Sequence, residues 1–341
     1  MTSTRGAMTL LRSADPVAPM GALDDVPVIR QPYARTPRRR SRLALVLAGA
    51  AAVGVVALGL GVVPLPWTHG TASPAAAAAL DRAASAADIT ARDEVARPDQ
   101  YWRITSRGQS ICYCGEGTVL LAGTSTTYVP VDGSRPSWWT SSGSRVVRVL
   151  TGSRPSTDQL DTPETATDNL TPNDIPGTWQ QPNPAWLAAL PRDTRDLRDR
   201  LYDDTSGHGL SHDGEVLVYV ADVLRSGTVP ADLRAALFRV LETVPGVDIV
   251  KRHEDGLISI GRLEDKDGQR QEIVIDPATG DYVGERTLQV RALDGVPAGT
   301  VIGEVTVSRT LVDSVPQRVQ TAAVHQVCTA SPDGAVMCSG G

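Results

Sequence analysis

Residues 247–288 read VDIVKRHEDGLISIGRLEDKDGQRQEIVIDPATGDYVGERTL. Four short runs, Val247–Val250, Leu257–Ile260, Gln271–Ile275 and Tyr282–Leu288, are separated by Glu-Asp-Gly, Lys-Asp-Gly and Asp-Pro-Ala-Thr-Gly. Apolar β-formers bounded by Gly and Asp turns predict strands, and connections this short force neighbouring strands antiparallel. This stretch therefore predicts a hairpin sheet, which Val301–Val307 extends by one more alternating run.

Upstream of it the period changes. Leu233, Leu237, Val240, Leu241 and Val244 fall on one helical face between Pro230 and the stop at Pro245–Gly246. Glu215–Arg225 fits a helix through Leu217, Val220 and Leu224, with Gly227 as its end, although Val216–Val220 also has strand character. Asp193–Tyr202 and a short segment opened by Pro184 add two more helices. These apolar stripes are narrow, so each helix is expected to lay one face on the sheet. Tyr101–Thr105, Thr127–Val131 and Arg145–Leu150 alternate as strands, and residues 151–184 read as a long polar surface loop. The expected class is α+β, an antiparallel sheet packed with helices.

The N-terminal part is of another kind. Leu43–Val63, LALVLAGAAAVGVVALGLGVV, is twenty-one residues without a charge or a hydrogen-bonding side chain. As a helix it reaches about 30 Å, the thickness of a bilayer's hydrocarbon core. Residues 1–42 hold eight Arg against three Asp, a charge of +5 within a chain whose formal total is −6, leaving −11 for the rest. Arg38, Arg39, Arg40 and Arg42 abut the apolar run, which predicts that this end stays in the cytoplasm and that the acidic remainder is extracytoplasmic. The expected partition is a disordered basic tail at 1–42, a single uncleaved transmembrane helix at 43–63, and a juxtamembrane linker with a helix from Pro74 at 64–99. An extracytoplasmic α+β domain at 100–313 and a cysteine-bearing tail at 314–341 complete it. The bilayer is then a partner, and nucleic acid is not, because an acidic domain repels phosphates.

All four cysteines follow the apolar run, on the oxidising side of this topology. Ser-Pro-Asp-Gly lies between Cys328 and Cys338 and predicts a hairpin that brings them together as a disulfide. Cys112 and Cys114 flank Tyr113 and would face the same side of a strand, either bridged to each other or left as thiols. His208, His212 and Asp213 are metal-ligating types, but glycines beside and between them and the lack of a fourth ligand favour a polar loop capping the next helix. Glu264–Gly268 has the composition of a calcium loop, yet the position that demands Gly holds Arg270, so it reads as a hairpin turn. No metal or cofactor is expected. Gly-x-Ser-x-Gly, His-Glu-x-x-His and Gly-Lys-Ser/Thr are absent from the sequence, and no catalytic role is expected.

Four motifs carry a resemblance: Trp186–Asp193 (WLAALPRD), Val229–Pro230 with Leu233–Leu237, Pro245–Val247, and Ile275–Gly280 (IDPATG). Together they resemble an uncharacterised actinobacterial family of single-pass envelope proteins often encoded beside an extracytoplasmic-function sigma factor. The likeness covers about residues 8 to 312, with Cys112–Cys114 and the cysteine-bearing tail as departures. It brings no assigned activity and no site residues; with its sigma-factor neighbourhood and the basic tail, the expected role is an envelope sensor or regulator with a cytoplasmic sigma or anti-sigma factor as partner. More loosely, the order of elements is similar to the half-barrel of periplasmic lipoprotein carriers. That analogy implies the alternative role, a binding module for a lipid, acyl chain or lipoprotein on a concave apolar sheet.

Overall fold

A computed structural model describes residues 70–90, 96–330 and 336–340. It is α+β, with a large, mostly antiparallel sheet and six helices among the described residues. No helix among them is long and apolar enough to cross a membrane. The span expected at 43–63, with Arg38, Arg39, Arg40 and Arg42, lies outside the described residues.

The expected meander is present. Strands β6 (Asp248–Arg252), β7 (Ile258–Glu264), β8 (Gln269–Asp276), β9 (Asp281–Gln289) and β10 (Thr300–Val312) pair in turn, each antiparallel to the last. The β8–β9 turn shows the local chemistry. Asp276 Oδ1 accepts the Ala278 N–H at 2.8 Å, and Gly280 closes the turn at φ +73°, where a side chain would be strained. Strand β10 then pairs with β1 (Tyr101–Cys114), which forms a fourteen-pair hairpin with β2 (Gly117–Pro130). Both strands run well beyond the expected runs, because hairpin register carries polar Gly108–Ser110 along with the apolar ends.

From β2 the sheet forks. One part of β2 pairs with β4 (Arg145–Thr151), another with β3 (Trp138–Ser141), and β3 pairs with β5 (Glu164–Asp168). Trp139 is buried and Trp138 partly exposed, as alternation requires. Strand β5 lies within the stretch expected to be a loop. It pairs in parallel with β11 (Val324–Ala330), so the sheet is not wholly antiparallel, and β11 pairs with β12 (Val336–Gly340).

The main core lies between one face of β7–β9 and the helices α1 (Pro74–Thr90), α2 (Pro184–Ala189), α3 (Thr194–Asp204), α4 (His212–Arg225) and α5 (Ala231–Glu242). Side-chain caps start three of them: Asn183 for α2, Asp193 for α3 and Ser211 for α4. Helix α5 departs from the expected one-faced helix. Leu233 through Phe238, and then Val240 and Leu241, are all buried, because α1 and α3 cover the faces turned away from α4. Helix α1 presents Ala76, Ala79, Leu80, Ala83, Ala84 and Ala87 to this core, so the expected juxtamembrane helix is packed into the domain. A sixth helix, α6 (Gln317–Ala322), lies on the opposite face with Tyr101, Tyr128 and Trp138.

Two buried arginines tie helices to strands. Arg225 donates to Asp222 Oδ1 at 2.6 Å and to Glu285 Oε1 at 2.7 Å, joining α4 to β9. Arg234 donates to the carbonyls of Gly280 at 2.8 Å and Val229 at 3.1 Å, clamping the β8–β9 turn onto α5.

Candidate functional site

Strand alternation decides what lies on the face of β7–β10 away from the helices. Ile258, Ile260, Ile273 and Ile275 turn into the helical core. Ser259, Gly261, Glu272 and Val274 therefore turn the other way. Following the pairing outward, Gly261 is opposite Glu272, Glu272 opposite Arg286, Arg286 opposite Glu304, and Glu304 opposite Gln109. Five strands thus contribute one polar row, with two acids, an arginine and an amide side by side.

The row is largely withdrawn from water. Glu272 is 0% exposed and receives Arg270 Nε at 2.7 Å on one oxygen and Arg286 Nε on the other. Gly261 makes room for it: a Cβ there would stand 2.8 Å from Glu272 Cγ and 2.6 Å from the Gln271 carbonyl oxygen. Glu304 is 8% exposed and lies opposite Gln109 on β1, and its Oε2 is buried without a partner. Burial pushes the Glu304 carboxyl above its ordinary range; nearby Arg286 opposes this and Glu272 adds to it. At the side of the row, His253 Nε2 lies 2.9 Å from Ser259 Oγ. Burial holds that imidazole below its ordinary value, with Lys251 acting in the same direction. Ser259 is itself fully buried, so this Ser–His pair offers no hydroxyl to a substrate.

A second polar corner lies at the other end of the sheet. Cys328 and Cys338 are directly opposite on β11 and β12 and form the expected disulfide. One oxygen of Asp168, on β5, lies within 4.8 Å of both sulfurs. Asn169 Oδ1 accepts the Cys328 N–H. Trp139 and Gln326 share this face through the pairs Trp139–Ala166 and Gln326–Asp168. Trp139 Nε1 and Gln326 Oε1 are buried without partners. Burial alone pushes the Asp168 carboxyl up to about 6. With both sulfurs oxidised, the corner offers a metal a single charged ligand, too few for a closed site.

No family model matches this chain, and no curated protein matches it.

Cys112 and Cys114 are bridged to each other; their Cα atoms are 5.3 Å apart, closer than the roughly 6.6 Å of two residues along a regular strand. His212 Nε2 lies 2.6 Å from the Tyr202 carbonyl oxygen and Tyr202 donates to Asp213 at 2.8 Å, while Ser211 accepts the Gly214 N–H at 3.0 Å. These contacts make the His208–Asp213 segment the cap of α4. Glu264 and Gly268 close the β7–β8 turn, with the Gly268 N–H on the Glu264 carbonyl at 2.9 Å. Two of the stretches quoted above, Leu233–Leu237 and Ile275–Gly280, meet at one joint, where Arg234 holds Gly280; Gly280 also abuts α1 at Ala83 and Ala87. The Glu272–Arg286–Glu304–Gln109 row and Asp168 escape sequence reasoning. Each lies in a strand of ordinary composition, and only register brings them together.

Proposed function

We propose that this chain is a membrane-anchored extracytoplasmic sensor or regulator that acts without catalysis. In this reading the sheet face turned away from the main core recognises a polar, hydrogen-bond-donating ligand through the β7–β10 row, and the basic tail at 1–42 meets a cytoplasmic sigma or anti-sigma factor. The carrying observation is Glu304, 8% exposed with one carboxylate oxygen unpartnered, set between Arg286 and Gln109. A buried acceptor without a donor is costly unless something supplies one. The same row argues against the acyl-chain alternative, since a lipid tail needs an apolar lining and meets Glu272, Arg286 and Gln109 here. The resemblance to proteins encoded beside sigma factors supports the regulatory half.

Two experiments test the halves separately. Replacing residues 1–37 by an unrelated leader, with Arg38, Arg39, Arg40 and Arg42 retained, is expected to leave membrane insertion intact and to abolish sigma-dependent transcription. An unchanged transcriptional response refutes the regulatory role. Glu304→Gln, which keeps shape and removes charge, is expected to blunt the response to envelope stress at normal protein abundance; a full response removes the row from the sensing site.

A further inference from the structure

We propose that Cys328–Cys338 and Asp168 form a thiol–disulfide exchange site, in which an external dithiol reduces the bridge and Asp168 supplies the proton to the leaving sulfur. The site is distinct from the charged row, and its assay reads chemistry and not signalling, so it stands or falls apart from the sensor reading.

Position decides which sulfur is attacked. Strand β12 is the last strand of the sheet path and is paired to β11 alone, and Cys338 is 8% exposed against 2% for Cys328. The reductant's thiolate therefore attacks Cys338 Sγ. A new S–S bond forms between reductant and Cys338, the Cys328–Cys338 bond breaks, and Cys328 leaves as a thiolate. That sulfur lies beside Asp168 on the neighbouring strand, whose carboxyl gives it a proton. The reductant's second thiol then ionises and attacks its own sulfur of the mixed disulfide. Cys338 is released and takes up a proton, and the reductant departs as a disulfide. Two electrons pass from dithiol to protein, and Asp168 regains its proton from the one shed when the first reductant thiol ionised.

The surroundings suit this role. A carboxyl that donates near neutral pH has to be kept protonated, and burial does that for Asp168. The side chains facing it from β3 and β11, Trp139 and Gln326, carry no charge. On its own strand the other acid is Glu164, at the far end, and His325 turns to the opposite face against Trp138. The unpartnered Gln326 Oε1 and Trp139 Nε1 leave a polar acceptor and donor on the same face, where the exchanging groups change their hydrogen bonding.

The test uses the full chain with dithiothreitol as the probe reductant, between pH 5 and 9. Differential alkylation and peptide mapping separate Cys328–Cys338 from Cys112–Cys114. Rates are divided by the thiolate fraction of the probe. The wild-type value is expected to be constant at low pH and to fall as pH rises through about 6, where Asp168 loses its proton. Asp168→Asn is expected to be about tenfold slower at pH 5 and flat with pH. A wild-type profile that is flat overturns the proposal even if the variant does not fold. So does a variant that retains the wild-type profile, or a bridge reduced only with the denaturant dependence of global unfolding.

Discussion

Arg225 is the side chain whose removal should be felt most. Its guanidinium is 0% exposed and reaches two carboxylates, Asp222 on its own helix and Glu285 on β9, that are themselves almost fully buried. Arg225→Met keeps the length and apolar bulk of the stem and removes the charge. Two acids are then left in the core without their shared cation. Breaking a buried ion pair by deleting one partner costs about 3–5 kcal/mol, most of it the desolvated charge left behind. For a domain of this size that corresponds to a loss of about 10 °C in Tm. The companion variant Arg225→Met/Asp222→Asn/Glu285→Gln discharges the cluster, and should recover at least half of the loss because the desolvation penalty goes with the charges. Urea unfolding followed by tryptophan fluorescence measures both, since Trp179 and Trp186 are packed in the helical core. A single variant within about 1 kcal/mol of wild type, or a triple variant no more stable than the single, refutes the account of Arg225 as a charge-compensated joint.

Four further outcomes follow from the same structure. Asp168→Asn should stabilise the fold more at pH 8 than at pH 4. The folded carboxyl is raised from 3.8 to about 6, so its favourable contribution is complete below 3.8 and lost as pH rises through 6. The difference is at most about 3 kcal/mol, read from unfolding curves at the two pH values. Glu242, pushed up to about 7 chiefly by burial and then by Asp81, follows the same sign; Glu242→Gln should raise Tm above pH 7 and change little at pH 4. Gly261→Ala should cost about 1–3 kcal/mol in urea unfolding, since its Cβ would meet the Gln271 carbonyl at 2.6 Å. Cys328→Ser/Cys338→Ser opens a loop of ten residues and should lower stability by up to about 3 kcal/mol, visible as earlier hydrogen exchange in β11.

The meander of β6–β9 was legible because each of its turns is short and carries Gly or Asp-Pro, so order and direction follow from local chemistry, and β10 followed from its own alternation across the ten-residue connection 290–299. The five helices of the main core were legible from their apolar period and from Pro and Gly near their ends, whereas the short α6 (Gln317–Ala322) was not. Strand β5 was not: Glu164–Asp168 has no apolar run, and Thr165 and Thr167 alternating with Glu164, Ala166 and Asp168 were its sole strand signal. Its partner β11 lies more than 150 residues away, and a parallel pairing at that distance leaves no mark in the sequence between them. Burial of α5 on nearly every side also went unread, because Ala235 and Ala236 look like helix filler until α1 packs over the bundle. The Cys328–Cys338 pairing was legible from the turn between the two, whereas Asp168 beside it depends on β5. The charged row needed the registers of four successive strand pairs. Taken singly, Glu272, Arg286 and Glu304 read as ordinary surface charges.

The way the chain enters the domain has a mechanical consequence. Residues 70–73 are fastened by two backbone bonds, Ala72 N–H to the Glu242 carbonyl and Ser73 N–H to the Val247 carbonyl, and α1 then lies along α5 on an alanine-lined face. Alanine buries little area per residue, so this seam holds through closeness of fit more than through mass of contact. A load arriving at Gly70 from any attachment upstream is delivered to the end of α5 and the start of β6, and its first work is to peel α1 away. Helix α1 therefore stands between such a load and the rest of the domain, and its release would uncover both the face of α5 it packs on and the β8–β9 turn at Gly280.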